Sequence, residues 1–187
     1  MKQFSWMMAL LGLLLLVVSL NCEGQNTDQP MPKIAPMVEK ILAANEAPDG
    51  VVFDIETLDA QALTKYAPYV RDQIQLIRQK YPDVDIAVVT HGTEEFALQK
   101  QAKGQQSLHN LFDKLVQDEG VSVHVCGAVA GLKKLTQEDF PSFVSFSASG
   151  MAQLNDYKAI GYTVVPIRQL NKQQRTDLFE RPKAYLR

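Results

Sequence analysis

Five short apolar runs, each bounded by turn-forming residues, constrain the fold of this 187-residue chain more than any other feature. Short continuous apolar runs are typical of β-strands that are covered on both faces. Between them, apolar residues recur at helical spacing, most clearly over residues 63–77 and 108–115. The predicted strands are residues 51–55, 84–90, 121–126, 143–146 and 162–167. Because strands that alternate with helices are joined by right-handed crossovers, the sequence predicts an α/β fold, a three-layer sandwich with a mostly parallel five-stranded sheet.

The N-terminus has the pattern of a secretory signal. Lys2 is followed by an uncharged run from Phe4 to Leu20, as in a signal peptide, although this run is also near the lower length limit of a membrane-spanning helix. Two outcomes stay open: cleavage before Gln25, or a membrane anchor kept through a lipidated Cys22 or an uncleaved signal. In either case we expect an exported, periplasmic protein.

Composition divides the chain into four segments. We interpret residues 1–22 as the signal peptide or lipoprotein signal, residues 23–49 as a proline-punctuated linker, residues 50–167 as the α/β domain and residues 168–187 as a charged C-terminal tail. Removal of the signal leaves about 165 residues, which suits one domain with a complete core.

Charge and motifs exclude several classes of function. The chain has 19 basic and 21 acidic residues, so it lacks the excess of positive charge that is typical of nucleic-acid-binding proteins. The sequence lacks the glycine-rich dinucleotide and phosphate-binding motifs, the nucleophile elbow of serine hydrolases and the C-x-x-C motif of dithiol oxidoreductases. Its three histidines, His91, His109 and His124, do not have the spacing of metal ligands. We expect no metal and no other cofactor.

Cys126 is the first candidate for chemistry. It ends the third predicted strand, precedes Gly127, and is unpaired if Cys22 is cleaved off or acylated. A thiol at a strand end that faces the N–H groups of a helix start feels a positive potential, which favours the reactive thiolate. Gly127 leaves room for the backbone to approach a bound sulfur or substrate. The alternative is an inert core cysteine, since free cysteines are among the most buried residues.

Polar residues also end the first two predicted strands. Asp54 lies at the end of the first strand, and His91, followed by Gly92, lies at the end of the second. Ligands of open parallel sheets bind beyond the carboxyl ends of the strands, and a flavodoxin-like order, with the first strand between the other two, would place Asp54, His91 and Cys126 on one rim. His91 is titratable near neutral pH; the alternatives are a satisfied loop histidine and an aspartate that only caps a turn. The candidate site residues are therefore Cys126 and His91 for catalysis, and Asp54, Gly92 and Gly127 for binding.

Four segments match the order and spacing of a known family: residues 90–92, 123–126, 150–154 and 160–165. Through them the chain resembles, over about residues 50–167, the DsrE/DsrF-like family of sulfur-relay proteins. The resemblance implies a small α/β sandwich that assembles as a trimer or hexamer. Some members carry sulfur as a persulfide on the cysteine that is matched here by Cys126. The resemblance also implies sulfur donor and acceptor proteins as partners.

Two functions follow from these observations, and a third is weaker. In the first, an exported sulfur carrier uses the Cys126 thiolate to accept a sulfane sulfur and passes it on by thiol exchange, while His91 and the helix start stabilise the charge. In the second, a non-catalytic oligomeric module binds a small molecule or a protein at the same sheet edge. The third, an anion or nucleotide binder, lacks the glycine fingerprint of that class.

Overall fold

Strands and helices alternate along residues 30–186, the part of the chain described by the structure, which is a computed structural model. The helices are Pro36–Ala43 (α1), Ala62–Lys80 (α2), Gln106–Gln117 (α3), Gly127–Ala130 (α4), Gly150–Ala159 (α5) and Lys172–Glu180 (α6). The strands are Gly50–Ile55 (β1), Asp85–Thr90 (β2), Ser122–Cys126 (β3), Ser145–Ser147 (β4) and Thr163–Arg168 (β5). Short 3-10 helices lie at Thr93–Leu98, Gly131–Lys133, Gln137–Asp139 and Pro182–Ala184. The predicted signal at residues 1–22, with its cleavage or the lipidation of Cys22, lies outside the described residues.

The five strands form one sheet in the order β4-β3-β2-β1-β5, and every neighbouring pair is parallel. This arrangement confirms the predicted α/β class and the parallel five-stranded sheet. The strand order differs from the expected flavodoxin-like one, because β2 lies between β1 and β3, whereas a flavodoxin-like order places β1 between β2 and β3. The chain runs from β1 through β2 and β3 to β4 in one direction across the sheet. The connection from β4 to β5 then returns to the far side of β1. Apolar patterning locates strands but does not specify which strands pair.

Helices cover both faces of the sheet. α2 and α3 pack against each other, and since crossovers are right-handed they lie on the face opposite α5. α5, on the returning connection, packs across β1, β2, β3 and β5. Under α5, Leu154 contacts Val52, Ala87 and Val89, which belong to the same face of β1 and β2. β1 is buried along its whole length, as its continuous apolar run predicts.

Two helices lie outside the segment that was predicted as the α/β domain. α1, within the predicted linker, packs against α2 and β5 and buries Val38 and Ile41. α6, within the predicted tail, begins at a capping box of Asn171 and Gln174 and buries Leu178. Both segments therefore contribute to the packed structure. Between residues 30 and 186, no helix is long and apolar enough to cross a membrane.

The edges of the sheet are short or interrupted. β4 has three residues, and β5 contains the exposed Pro166. The pairing of β5 with β1 shifts register, so that Pro166 faces Asp54 whereas Arg168 faces Ile55. Irregularities of this kind bend a strand and are frequent beside functional sites. Here a hydrogen bond from the N–H of Glu56 to the carbonyl of Arg168 (2.8 Å) keeps the chain after β5 at the carboxyl end of β1.

Candidate functional site

The carboxyl ends of β1, β2 and β3 lie side by side and bring together residues that are far apart in the sequence. β2 pairs with β1 on one side and with β3 on the other. His91, the residue after β2, therefore lies between Asp54 of β1 and Cys126 of β3. A Cβ atom at Gly150, the first residue of α5, would collide with His91 and come within 3.4 Å of the Cβ atom of Cys126. The three predicted residues thus share one rim, with His91 in the middle.

His91 is a buried cation. Its Nε2 atom lies 2.7 Å from Oδ1 of Asp54, and its Nδ1 atom lies 3.4 Å from Oε1 of Glu56. Burial disfavours the charged ring, but the hydrogen bonds to Asp54 and Glu56 outweigh it and raise the pKa of His91 to about 10. The second oxygen of Asp54 accepts a hydrogen bond from Gln169 (2.5 Å). At neutral pH the His91 ring is protonated, so it cannot act as a general base and does not titrate near neutral pH.

Glu56 is a site residue that sequence reasoning missed. Its buried carboxylate accepts hydrogen bonds from Nε of Arg175, at 2.6 and 2.9 Å to its two oxygens, and from the backbone N–H of Leu170 at 3.2 Å. Burial alone would raise the pKa of Glu56, but the hydrogen bonds from His91 and Arg175 outweigh it and hold that pKa below its ordinary value. Asp54 and Glu56 therefore balance the charges of His91 and Arg175. Within residues 30–186, no group of histidine, cysteine and acidic side chains is arranged to hold a metal ion.

Glu94 holds the loop after β2 in place. Its fully buried carboxylate accepts the backbone N–H groups of Thr57 (2.8 Å), His91 (3.1 Å) and Gly92 (2.9 Å). Burial raises the pKa of Glu94 to about 7, against the backbone donors and the His91 charge, which lower it. A Cβ atom at Gly92 would collide with the backbone of Thr57 and with the Glu94 carboxylate. The packing of this loop therefore accounts for the glycine at position 92, which was predicted as a binding residue.

Glu95, also missed from the sequence, lies directly against Cys126. Its Oε2 atom accepts a hydrogen bond from the backbone N–H of Cys126 at 2.9 Å. Its buried Oε1 atom makes no hydrogen bond of normal geometry among the described residues, although the Ala130 backbone is close enough to the carboxyl to lower its pKa slightly. Burial, followed by the negative charge that Cys126 can carry, raises the pKa of Glu95 well above its ordinary value. This shift favours the protonated form of Glu95, whose O–H group can donate a hydrogen bond. Groups whose pKa is shifted in this way by burial and one specific neighbour are concentrated at functional sites.

Cys126 ends β3 and precedes α4 as predicted, but it is only 4% exposed. It packs in an apolar cluster with Phe96 and with Leu178 of α6. α4 has only four residues, so the expected stabilisation of a thiolate by a helix start is weak. A Cβ atom at Gly127 would meet the ring of Phe146, which shows that this glycine makes room for packing.

His124 belongs to a neutral hydrogen-bond network under α5. Its Nε2 atom lies 2.8 Å from the hydroxyl of Tyr157, and its Nδ1 atom lies 3.1 Å from Oγ of Ser147. Burial lowers the pKa of His124, so the ring is neutral at neutral pH. The Ser147 hydroxyl donates its proton to Gln153 (2.9 Å) rather than to His124. This serine is therefore not activated as a nucleophile.

The fold and the rim define a small α/β protein with a cysteine at the carboxyl end of a parallel sheet. A family model described as the DsrE/DsrF-like family matches residues 22–167. Because the match covers most of the chain, this protein belongs to the DsrE/DsrF-like family, and the predicted resemblance is confirmed. The match ends at Ile167, before α6.

Two solved structures are similar to this chain. The protein of unknown function MTH1491 from Methanobacterium thermoautotrophicum is 18% identical, with a TM-score of 0.49, over 62% of this chain and 96% of its own. The YchN protein from E. coli is 12% identical, with a TM-score of 0.49, over 64% of this chain and 99% of its own. No curated protein matches the chain.

Proposed function

We propose that this protein carries sulfane sulfur as a persulfide on Cys126 and passes it to an acceptor thiol. The DsrE family is generally associated with sulfur relay, and Cys126 lies inside the matched region. The observation that carries the proposal is the contact between Cys126 and the buried acid Glu95. A cysteine that only fills the core does not need an ionisable group with an unpartnered oxygen beside it, and burying such a group costs free energy.

Sulfur loading by this route is the transfer of one sulfur atom from a donor persulfide to the Cys126 thiol. The Cys126 thiolate attacks the terminal sulfur of a donor persulfide, R–S–SH; the new S–S bond forms as the donor S–S bond breaks, and R–S⁻ leaves. The thiol proton of Cys126 ends on the departing donor, so the products are Cys126–S–SH and R–SH, with no net oxidation or reduction. Delivery repeats this exchange, with an acceptor thiol attacking the terminal sulfur of the Cys126 persulfide.

Glu95 supports this chemistry by stabilising anionic sulfur. A neutral carboxylic acid can donate a hydrogen bond to a thiolate or to a persulfide anion, and such a bond is strong in a buried site. His91 acts differently, as a fixed positive charge near Cys126 whose protons face Asp54 and Glu56. We assign it no proton transfer, because a pKa of about 10 keeps it protonated throughout the reaction.

Intact-mass spectrometry after incubation of the native chain with a small persulfide donor tests the proposal. We expect the mass of one sulfur atom to be added to the parent chain and to the Cys22→Ser variant, but not to Cys126→Ser. An equal gain on Cys126→Ser, or no gain on the parent chain, contradicts sulfur carriage by Cys126.

One observation favours the alternative, a non-catalytic oligomeric module that binds a small molecule or a protein at the sheet edge. Cys126 is 4% exposed, as expected of a cysteine that only packs. In such a module the thiol stays inert toward alkylating reagents in the folded state, and persulfide donors leave the mass unchanged. Alkylation of the native protein therefore separates the two functions.

The proposed relay needs partners and a compartment. We propose an exported, periplasmic carrier that exchanges sulfur with a donor and an acceptor protein and assembles as a trimer or hexamer. Cell fractionation of the full chain tests the compartment, and light scattering of the purified protein tests the assembly. Recovery in the cytosol contradicts export, and a monomer in solution contradicts the assembly.

A further inference from the structure

The C-terminal segment of the described chain packs into the apolar cluster that contains Cys126. Leu178 of α6 is fully buried in the apolar cluster that contains Cys126. Tyr185 and Leu186, further along the chain, pack against the same cluster. This segment therefore supplies part of the apolar cluster around the thiol at the end of β3.

α6 is attached by few apolar contacts. Leu178 is the only buried residue of this helix, whereas α2 buries eight of its residues. Phe179, which follows Leu178, is 47% exposed. Local opening requires the least free energy where few apolar side chains are buried. α6 is therefore the helix most easily released from this rim.

An ion pair forms the second attachment. Arg175 of α6 donates from Nε to both carboxylate oxygens of Glu56, at 2.6 and 2.9 Å. The Arg175 side chain is 36% exposed, so dissolved ions can reach it, whereas Glu56 is buried. Glu56 also lies 3.4 Å from Nδ1 of His91. The attachment point of α6 is thus part of the charged rim beside Cys126.

We propose that residues 172–186, the C-terminal cover, form a removable lid over Cys126 that is held closed by Leu178 and by the Arg175–Glu56 ion pair. This inference rests on the proposed function. The closed cover shields the thiol or the persulfide from water and stray thiols, and donor and acceptor thiols reach Cys126 in the open state. Opening also separates Arg175 from Glu56, which leaves that carboxylate paired with His91.

The rate of Cys126 alkylation in the native full-length Cys22→Ser protein measures this opening. Leu178→Ala should accelerate alkylation by about tenfold or more, because it removes the buried side chain that holds α6 in place. Phe179→Ala is the matched control, since it truncates the neighbouring exposed residue. We expect it to change the rate by less than about twofold.

Arg175→Gln tests the ion pair without altering the apolar packing. It should accelerate alkylation by about threefold or more, and it should remove the acceleration that added salt produces in the parent protein, because salt screens a partly exposed pair. Arg181→Gln is the matched control, because Arg181 is an exposed arginine of the same segment that pairs with Asp177 rather than with the rim. A salt response that survives Arg175→Gln contradicts the role of the ion pair.

Hydrogen exchange distinguishes opening of the cover from general unfolding. In Leu178→Ala, amides of residues 172–180 should lose protection while those of β1, β2 and β3 keep theirs. Equal alkylation rates for Leu178→Ala and Phe179→Ala, or a loss of protection that extends into the sheet, overturn the proposal.

Sulfur loading is measured separately, so the two proposals can fail independently. Faster alkylation of Leu178→Ala without any added sulfur supports the cover and contradicts the relay. Sulfur that loads at the same rate on the parent, Leu178→Ala and Arg175→Gln proteins supports the relay and contradicts the cover.

Discussion

Nε2 of His91 lies 2.7 Å from Oδ1 of Asp54, and both side chains are buried at the carboxyl end of the sheet. The two residues are 37 positions apart and meet because β1 and β2 are neighbours. Histidine usually titrates near neutral pH. This contact, together with Glu56 at the other ring nitrogen, keeps the His91 ring protonated at that pH. His91 therefore contributes positive charge to the rim, and not proton transfer.

The stability of the folded protein should fall as the pH rises between 6.5 and about 10, because the pKa of His91 is raised from the first value to the second. At lower pH, the ring is protonated in both the folded and the unfolded chain, and its ion pairs contribute in full. As the pH rises, the unfolded chain releases this proton while the folded protein keeps it, so the free energy of unfolding falls by up to about 1.4 kcal/mol per pH unit. Urea unfolding across this range measures the slope. His91→Gln should give a flatter profile, and an unchanged slope contradicts the buried cation.

Gly150→Ala should lower the free energy of unfolding by about 1–3 kcal/mol. The added methyl group would collide with His91 and press toward Cys126, and neither side chain has free space to move into because both are buried. Met151→Ala, one position later and 40% exposed, should change stability by less than about 0.5 kcal/mol. Chemical denaturation compares the two variants, and equal losses would show that the rim is loosely packed.

Glu94→Ala should reduce the free energy of unfolding by about 3 kcal/mol or more, because three buried N–H groups lose their acceptor. Glu94→Gln keeps one acceptor oxygen and should lose less. Denaturation midpoints of both variants, with the exposed Glu138→Ala as reference, measure the difference. A loss for Glu94→Ala no larger than that of the reference contradicts the anchoring role.

Local pattern was enough to predict the strands and the residues at their ends. The apolar runs predicted Asp54, His91 and Cys126 at strand ends, and at one rim only if β1 lay between β2 and β3. The structure brings the three residues together through a different strand order. The order of the strands was not predictable, because it depends on the direction of each crossover, which no local pattern records. The rim formed despite this difference, since β2 has β1 and β3 as its neighbours.

Glu56, Glu94 and Glu95 escaped sequence reasoning because an acidic residue in a loop is normally exposed. Glu94 and Glu95 follow the end of β2 closely, and that position was the one available signal. Arg175 lies 119 positions from Glu56 in the chain, so no local pattern could link them. The sequence left open whether Cys126 is reactive or a core cysteine, because Leu178, which shares its apolar cluster, belongs to α6 in a segment interpreted as a charged tail.

The two edges of the sheet limit how copies of this chain can join. A foreign strand extends a sheet by hydrogen bonding to free N–H and C=O groups along its edge. β4 offers three residues for this purpose, and Pro166 removes an N–H group from the middle of β5. Edge-to-edge pairing of strands from different molecules, the first step toward fibrils, is therefore disfavoured at both edges. In the described part of the chain, helices and loops are therefore the more favourable surfaces for association.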